Sequence, residues 1–308
     1  MSTDISTEPA VGTLLALAVR SGRILRVRLS DGQVETFLDD AGPVPDGVVV
    51  HDGVVYWTTM GVPEVVGEGE SNRLYGRRDG GVHAVAVDGT GRRDVLAPGT
   101  ITTGKQLTCD DTGTLYWGDR EGRRVSCARI DGSGLADLVV NTAEGVLAEC
   151  VGVAVDRDRG HLYWSQKGPA KGGQGRIFRA GLAILAGETA ATRSDVELLW
   201  DGLPEPIDLH IDGKWLYWTD RGAPVAGNTL NRAPLPAPGQ PCVEPEILGG
   251  GFAEAIGLVV DAVAGLAYVS DLGGHIWEVS LPEGPGAGAP PRVLVQLPEA
   301  ITGLAALR

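Results

Sequence analysis

With 308 residues, 43% of them apolar and 21% charged, the chain can bury a large core and reads as globular, as one big β domain or two ordinary ones. Its 26 Lys plus Arg stand against 40 Asp plus Glu, and a net charge of −14 repels phosphate backbones and anionic lipid surfaces, so neither nucleic acid nor membrane is an expected partner. The opening "MSTDISTEPAVG" has no basic n-region and "LLALAV" is too short for a span, which makes residues 1–12 a flexible N-terminus and the cytoplasm the expected location.

From residue 13 onward the chain reads as short strands. "TLLALAV", "GRILRVRL" and "QVETFL" come first, and then a unit of four apolar runs recurs five times. Its first run alternates and ends on an acid, as in "CVGVAVD" and "PIDLHID"; its second is a Tyr-Trp run such as "WLYWTD". Third and fourth runs follow, joined by Asp-Gly pairs at Asp88-Gly89 and Asp131-Gly132 that suit tight hairpin turns. Tyr56, Tyr116, Tyr163, Tyr217 and Tyr268 mark the copies at separations of 60, 47, 54 and 51 residues. Runs of this length with period-two alternation, bounded by Gly, Asp and Pro, are half-buried strands, and four of them make one blade. The three N-terminal runs match the second to fourth strands, and the C-terminal "AITGLAAL" supplies the missing first one. The expected fold is therefore all-β: a single six-bladed β-propeller over 13–308, its last blade closed by both ends of the chain.

Two segments depart from the strand pattern. "LAILAGETAATRSD", from Leu182, suggests a short helical turn, and Met60 to Gly81 forms one long top-face insertion. That insertion, over about 60–81, begins acidic with Glu64, Glu68 and Glu70 and ends with Arg73, Tyr75, Arg77 and Arg78, the composition of a lid over an anionic or carbonyl-bearing ligand.

The Tyr-Trp-Thr-Asp second strand, the "G-L-x-V-D" first strand and the "DG" turn together resemble the YWTD propellers of the low-density-lipoprotein-receptor class B repeat, over nearly the whole chain. More distantly the pattern is similar to gluconolactonase-type and strictosidine-synthase-like propellers. In the lactonase type the resemblance implies a metal held in the central funnel by one Glu with Asn and Asp ligands, whereas the four asparagines here include none at a first-strand start. The propeller alone does not choose a function.

Residues that refuse to repeat are the better guide. Aligning the first strands on Asp156, Asp212 and Asp261 puts Glu149, Glu205 and Glu254 at one equivalent position, where the other blades carry Val44, Thr103 and Ala300. Asp208 stands where neighbouring blades have Gly152 and Gly257, and His210 follows on the same face of the strand. Converging carboxylates either hold a hard divalent cation such as calcium or magnesium, with Glu149, Glu205 and Glu254 as ligands, or split their pKa values for acid/base work. On this reading Glu149, Glu205, Asp208, Glu254 and His210 are catalytic candidates. Arg73, Tyr75, Arg77, Arg78, Lys105, Gln166, Lys167, Arg221 and Phe252 are substrate-binding candidates. The expected ligand is a small molecule in the top funnel, turned over by hydrolase, lyase or cyclase chemistry; a protein or peptide gripping the same face is the alternative. The Asp of the Tyr-Trp-Thr-Asp strand is expected to cap turns. Cys109, Cys127, Cys150 and Cys242 show no C-x-x-C spacing and are expected as free thiols.

Overall fold

Each four-run unit forms an antiparallel four-stranded sheet in the computed structural model, which describes residues 10–67 and 73–307. Numbered in chain order, blade I joins Ile301–Leu307 to Thr13–Ala18, Arg23–Arg28 and Val34–Leu38. Blade II holds Pro45–His51, Val54–Thr59, Gly80–Ala86 and Arg93–Ile101; blade III holds Gly104–Cys109, Thr114–Asp119, Arg124–Arg129 and Ala136–Val140. Blade IV holds Val153–Asp156, His161–Gln166, Gly175–Gly181 and Glu197–Leu203. Blade V holds Pro206–Asp212, Trp215–Asp220, Thr229–Pro234 and Glu246–Gly250; blade VI holds Ala255–Asp261, Leu266–Asp271, His275–Ser280 and Arg292–Gln296. The ring closes in blade I, where Thr13 pairs with Leu307 and Ala18 with Ile301. The Asp-Gly pairs form three-residue hairpin loops, closed from Ala86 N to Thr90 O at 3.0 Å with Gly89 in the left-handed region at φ 85°. No helix forms in the segment from Leu182; Arg193 ties it instead to Leu138 O and Gly181 O at 2.7 and 2.6 Å.

Each residue of the Tyr-Trp-Thr-Asp strand has a separate job. The Tyr and Trp rings fill the wedges between blades, with Trp57, Trp117, Trp164 and Trp218 all buried. The third position bolts adjacent blades together: Thr219 Oγ1 accepts from Asp208 N at 3.1 Å and donates to Ile256 O of the next blade at 2.6 Å. Thr58, Ser165 and Ser270 repeat this bridge. Innermost strands pack so closely that a Cβ on Gly152 would lie 2.0 Å from Ile207 O. Removing a bridge strands a buried donor and a buried acceptor, so Thr219→Val is expected to lower stability by ~1–2 kcal/mol in urea unfolding, whereas Thr219→Ser should retain most of it.

The fourth position caps loops. Asp220 accepts from Glu205 N at 2.9 Å and Gly222 N at 2.8 Å, and Asp119 from Thr103 N at 2.8 Å and Gly122 N at 3.1 Å. Blade II has Thr59 there; its hydroxyl meets His83 Nε2 at 3.1 Å while His83 Nδ1 meets Asp94 at 2.7 Å. This set is drawn like a nucleophile, base and orienting acid, but Thr59 is 1% exposed, so it serves as a sealed polar plug. The four cysteines are free thiols, and burial pushes Cys150 up to about 12. Val11, in the stretch read as a flexible terminus, is buried, with its N–H on Asp261 Oδ2 at 2.7 Å; residues 1–9 lie outside the described residues.

Candidate functional site: the top funnel

Two rings of six positions line the top of the propeller. One is the residue just before each innermost strand, or four residues before it in blade IV: Val44, Thr103, Glu149, Glu205, Glu254 and Ala300. The other is the residue just after the loop-capping position: Val19, Met60, Arg120, Lys167, Arg221 and Leu272. Main-chain hydrogen bonds join the rings within a blade, as in Arg221 N to Glu205 O and Arg120 N to Thr103 O, both at 3.1 Å.

Side chains pair between blades. Lys167 of blade IV lies 3.7 Å from Glu205 of blade V, Arg221 of blade V lies 3.9 Å from Glu254 of blade VI, and the charge of Arg120 in blade III acts on Glu149 in blade IV. Lys171 adds a further link, 3.4 Å from Glu254, while its N–H donates to Glu205 Oε2 at 3.0 Å. The expected acidic arc is therefore an alternating chain of charges. Glu205, 1% exposed, is also held by Arg221 Nε at 2.7 Å, and acts as an anchor between loops. Each of the three glutamates is thus paired with a cation. Among the described residues no group of three or more His, Cys, Asp or Glu is placed to hold a metal ion. Burial moves the Glu149 carboxyl above its ordinary range despite Arg120 and Lys167, and burial lowers Lys167.

The enclosed space is a funnel of ≈ 710 Å³, of the size that takes a small molecule. Arg120, Lys171 and Arg221 line it over blades III to V, and Leu272, Val19, Val44 and Met60 over blades VI, I and II, with Glu254 and Arg73 adding one charge of each sign. Asp46, Lys105, Ile256 and Thr302 close the floor. Lys105 is 7% exposed, with Nζ 2.5 Å from Asp46 Oδ1 and 3.6 Å from Met60 Sδ. Burial pulls its pKa down to about 8, with Arg120 and Arg221 adding repulsion and Asp46 opposing.

Asp208 and His210 are on the innermost strand of blade V and do not line the funnel. Asp208 Oδ2 accepts from Leu258 N at 3.0 Å and Oδ1 from Leu209 N at 2.9 Å, and burial raises its pKa to about 8. Burial lowers His210 to about 4, leaving a neutral imidazole.

The lid contributes part of what was expected. Arg73 and Tyr75 line the funnel; Tyr75 is buried, with the Arg120 guanidinium 5.3 Å from its ring centroid and its carbonyl accepting from Thr103 Oγ1 at 3.1 Å. Arg77 and Arg78 are exposed outside it, and Arg78 donates to Thr100 O at 2.7 Å. Glu68 and Glu70 lie outside the described residues. Two further substrate candidates face elsewhere: Phe252 packs on Trp277 at 5.4 Å between centroids, and Gln166 accepts from Arg176 at 2.7 Å in a groove on the flank. Arg120 and Lys171 are funnel residues that inspection of the sequence did not single out. The signal for Arg120 was its place, one residue after the capping Asp, in register with Lys167 and Arg221.

No family model matches the chain. A protein of Pyricularia oryzae named low-density lipoprotein receptor-related protein 1 is 39% identical over 303 residues, covering 92% of this chain and 91% of that protein. A protein of Cochliobolus heterostrophus named 3-hydroxyacyl-CoA dehydrogenase-like protein LAM1 is 38% identical over 282 residues, covering 85% of this chain but 57% of its own length. Among solved structures, a chain of a nidogen/laminin complex superposes with TM-score 0.66 at 17% identity, over 96% of this chain and 98% of that one. A candidate 6-phosphogluconolactonase of Bacteroides fragilis does so with TM-score 0.55 at 14% identity, over 89% and 79%. These two likenesses bear on fold alone. With its repeated Tyr-Trp-Thr-Asp strands, its closed six-bladed ring and a 39% identical relative matched along nearly its whole length, the chain belongs to the low-density-lipoprotein-receptor-related family of YWTD propellers.

Proposed function

We propose that the top funnel binds a small organic anion with an apolar portion and a carbonyl group, and that its floor supplies the proton-transfer chemistry of a hydrolase, lyase or cyclase type of reaction. One observation carries the reading: three consecutive blades each put a cation, Arg120, Lys171 or Arg221, on the funnel wall while the other three put Leu272, Val19 and Met60 there, in a protein of net charge −14. The three cations are ion-paired, Arg120 with Glu121, Lys171 with Glu254 and Arg221 with Glu205, yet they gather on one side of the funnel, where the opposite blades manage with Val19, Met60 and Leu272. Arg120 and Arg221 would hold the anionic end and Val19, Met60 and Leu272 the apolar end. Lys105, whose charged form burial disfavours, would exchange protons through Asp46, 2.5 Å away. The dehydrogenase-like name of one relative belongs to a protein this chain spans only in part, and the all-β blades contain no strand–helix–strand unit of the kind that seats a dinucleotide.

The test is calorimetry and thermal shift with straight-chain 2-oxo acids of increasing length. Affinity is expected to rise with chain length, and Arg221→Met is expected to weaken it roughly tenfold, about 1.4 kcal/mol. Equal responses to the matching neutral alcohols, or none to any acid, would sink the proposal. A protein partner is a second reading, favoured by Val62, Val65, Val66 and Leu74, which lie exposed together on the lid. A stoichiometric complex lost on replacing Val65 and Leu74 by Ser would move the function there.

A further inference from the structure

We infer that Lys105 is a nucleophile that forms a Schiff base with a carbonyl compound carrying a carboxylate, an inference that rests on the funnel being a small-molecule site. The molecule has four lysines, Lys105, Lys167, Lys171 and Lys214, and they differ in setting. Lys171 is exposed and ion-paired, Lys214 lies over the Trp215 ring, and Lys167 donates to Gly168 O at 3.0 Å between Glu149 and Glu205. Lys105 alone among them lies in the funnel floor, enclosed on its own blade's innermost strand, with one carboxylate at 2.5 Å and a thioether as its other near contact.

That setting supplies what imine formation needs. Asp46 is 1% exposed and bound by Gln106 Nε2 at 3.0 Å, which fixes its carboxylate against Nζ. The ammonium passes one proton to Asp46. The freed nitrogen pair attacks the carbonyl carbon, the C–N bond forms as the carbonyl π pair moves to oxygen, and a proton moves from nitrogen to that oxygen to give the carbinolamine. Asp46 then returns its proton to the hydroxyl, which leaves as water while the nitrogen pair forms the C=N bond. The sum is ammonium plus carbonyl giving protonated imine plus water, so the positive charge beside Asp46 is the same before and after and no further reagent is consumed. The charged groups that act on Lys105 are Asp46, Arg120, Arg221 and, more weakly, Glu149; the two arginines disfavour the ammonium and line the funnel where the carboxylate of the incoming molecule would enter.

Reductive trapping tests this. The whole protein is treated with pyruvate and sodium borohydride between pH 6 and 9, digested, and its lysine peptides weighed. The reduced adduct is expected on Lys105, in yield that climbs as pH passes about 8, is suppressed by excess lactate, and disappears in Lys105→Arg with the other three lysines unchanged. Calorimetry with lactate, which has the anion but no carbonyl, keeps the two ideas apart. Lactate binding without any Lys105 adduct overturns the Schiff base and leaves the anion funnel standing; no lactate binding and adducts spread over Lys171 and Lys214 overturns both. Should Lys105→Arg fail to fold, Asp46→Asn replaces it, expected to cut the Lys105 adduct at least tenfold in a protein whose other lysines label as before.

Discussion

Replacing Asp271 with Ala is expected to lower the stability of the propeller by ~3–5 kcal/mol, since each buried donor left without an acceptor costs ~1–3 kcal/mol. Asp271 is 0% exposed. Its carboxylate accepts from Ala253 N at 2.9 Å, His275 N at 2.9 Å, His275 Nδ1 at 2.9 Å and Trp277 Nε1 at 2.8 Å. One side chain therefore fixes the loop entering the innermost strand of blade VI, the turn into its third strand and the indole that packs on Phe252. Alanine strands all four donors, two of them main-chain amides that no rotamer change can re-aim. Asp271→Asn keeps one oxygen and should lose roughly half as much, because its amide presents a donor to donors. Urea unfolding reads both: the midpoint should fall with little change in slope, since the unfolded chain is the same. A loss below ~1 kcal/mol for Ala would mean that the loops hold without their cap.

The same Asp explains why so much of the architecture was legible. A propeller has to solve one junction six times, and the solution, aromatic wedge, hydroxyl bridge and carboxylate cap in that order, is complete in Tyr217 to Asp220 and kept in part in the other blades. Repetition in the sequence is repetition of that junction, so even the blade divided between Thr13–Ala18 and Ile301–Leu307 could be completed by its missing strand. The funnel was legible only by half. Glu149, Glu205 and Glu254 stand out because their counterparts are Val44, Thr103 and Ala300, but a carboxylate's chemistry is set by what faces it across the blade boundary. Those partners occupy the position after the cap in the preceding blade, 29 residues before Glu149 in the case of Arg120, and they set the glutamates in interblade charge pairs. Lys105 could be named from sequence, but its enclosure depends on Asp46, Met60 and Tyr75, which arrive from another blade and from the lid. Phe252 looked like a loop aromatic near a glutamate; its burial against Trp277 follows from Asp271 holding that indole, a contact between strands with no local signature.

Asp208 carries the second large effect, and it appears as a dependence of stability on pH. The carboxyl occupies a position filled by Gly47, Gly152, Gly257 and Gly303 in four other blades, where innermost strands nearly touch. Burial, with Asp46 adding like-charge repulsion, raises its pKa from 3.8 to about 8. The native state therefore keeps this proton through a range in which the unfolded chain has lost it. Below 3.8 both states hold the proton and the fold bears no cost; as pH rises toward 8 the unfolded state is progressively favoured by its free ionisation, so stability falls with rising pH and levels off above 8. A pKa unit is worth about 1.4 kcal/mol, but the side chain is only partly buried and accepts two main-chain hydrogen bonds, so the realised cost is put at ~1–3 kcal/mol. Asp208→Asn removes the titration while offering one acceptor in place of two. Urea unfolding of the pair should show the Asn variant equal to or slightly below the parent at pH 5 and ~1–2 kcal/mol above it near pH 8.5, after the lost acceptor is set against the removed charge. Stability curves that run parallel across that range would show that Asp208 ionises freely in the folded protein and that its place among the glycines carries no electrostatic cost.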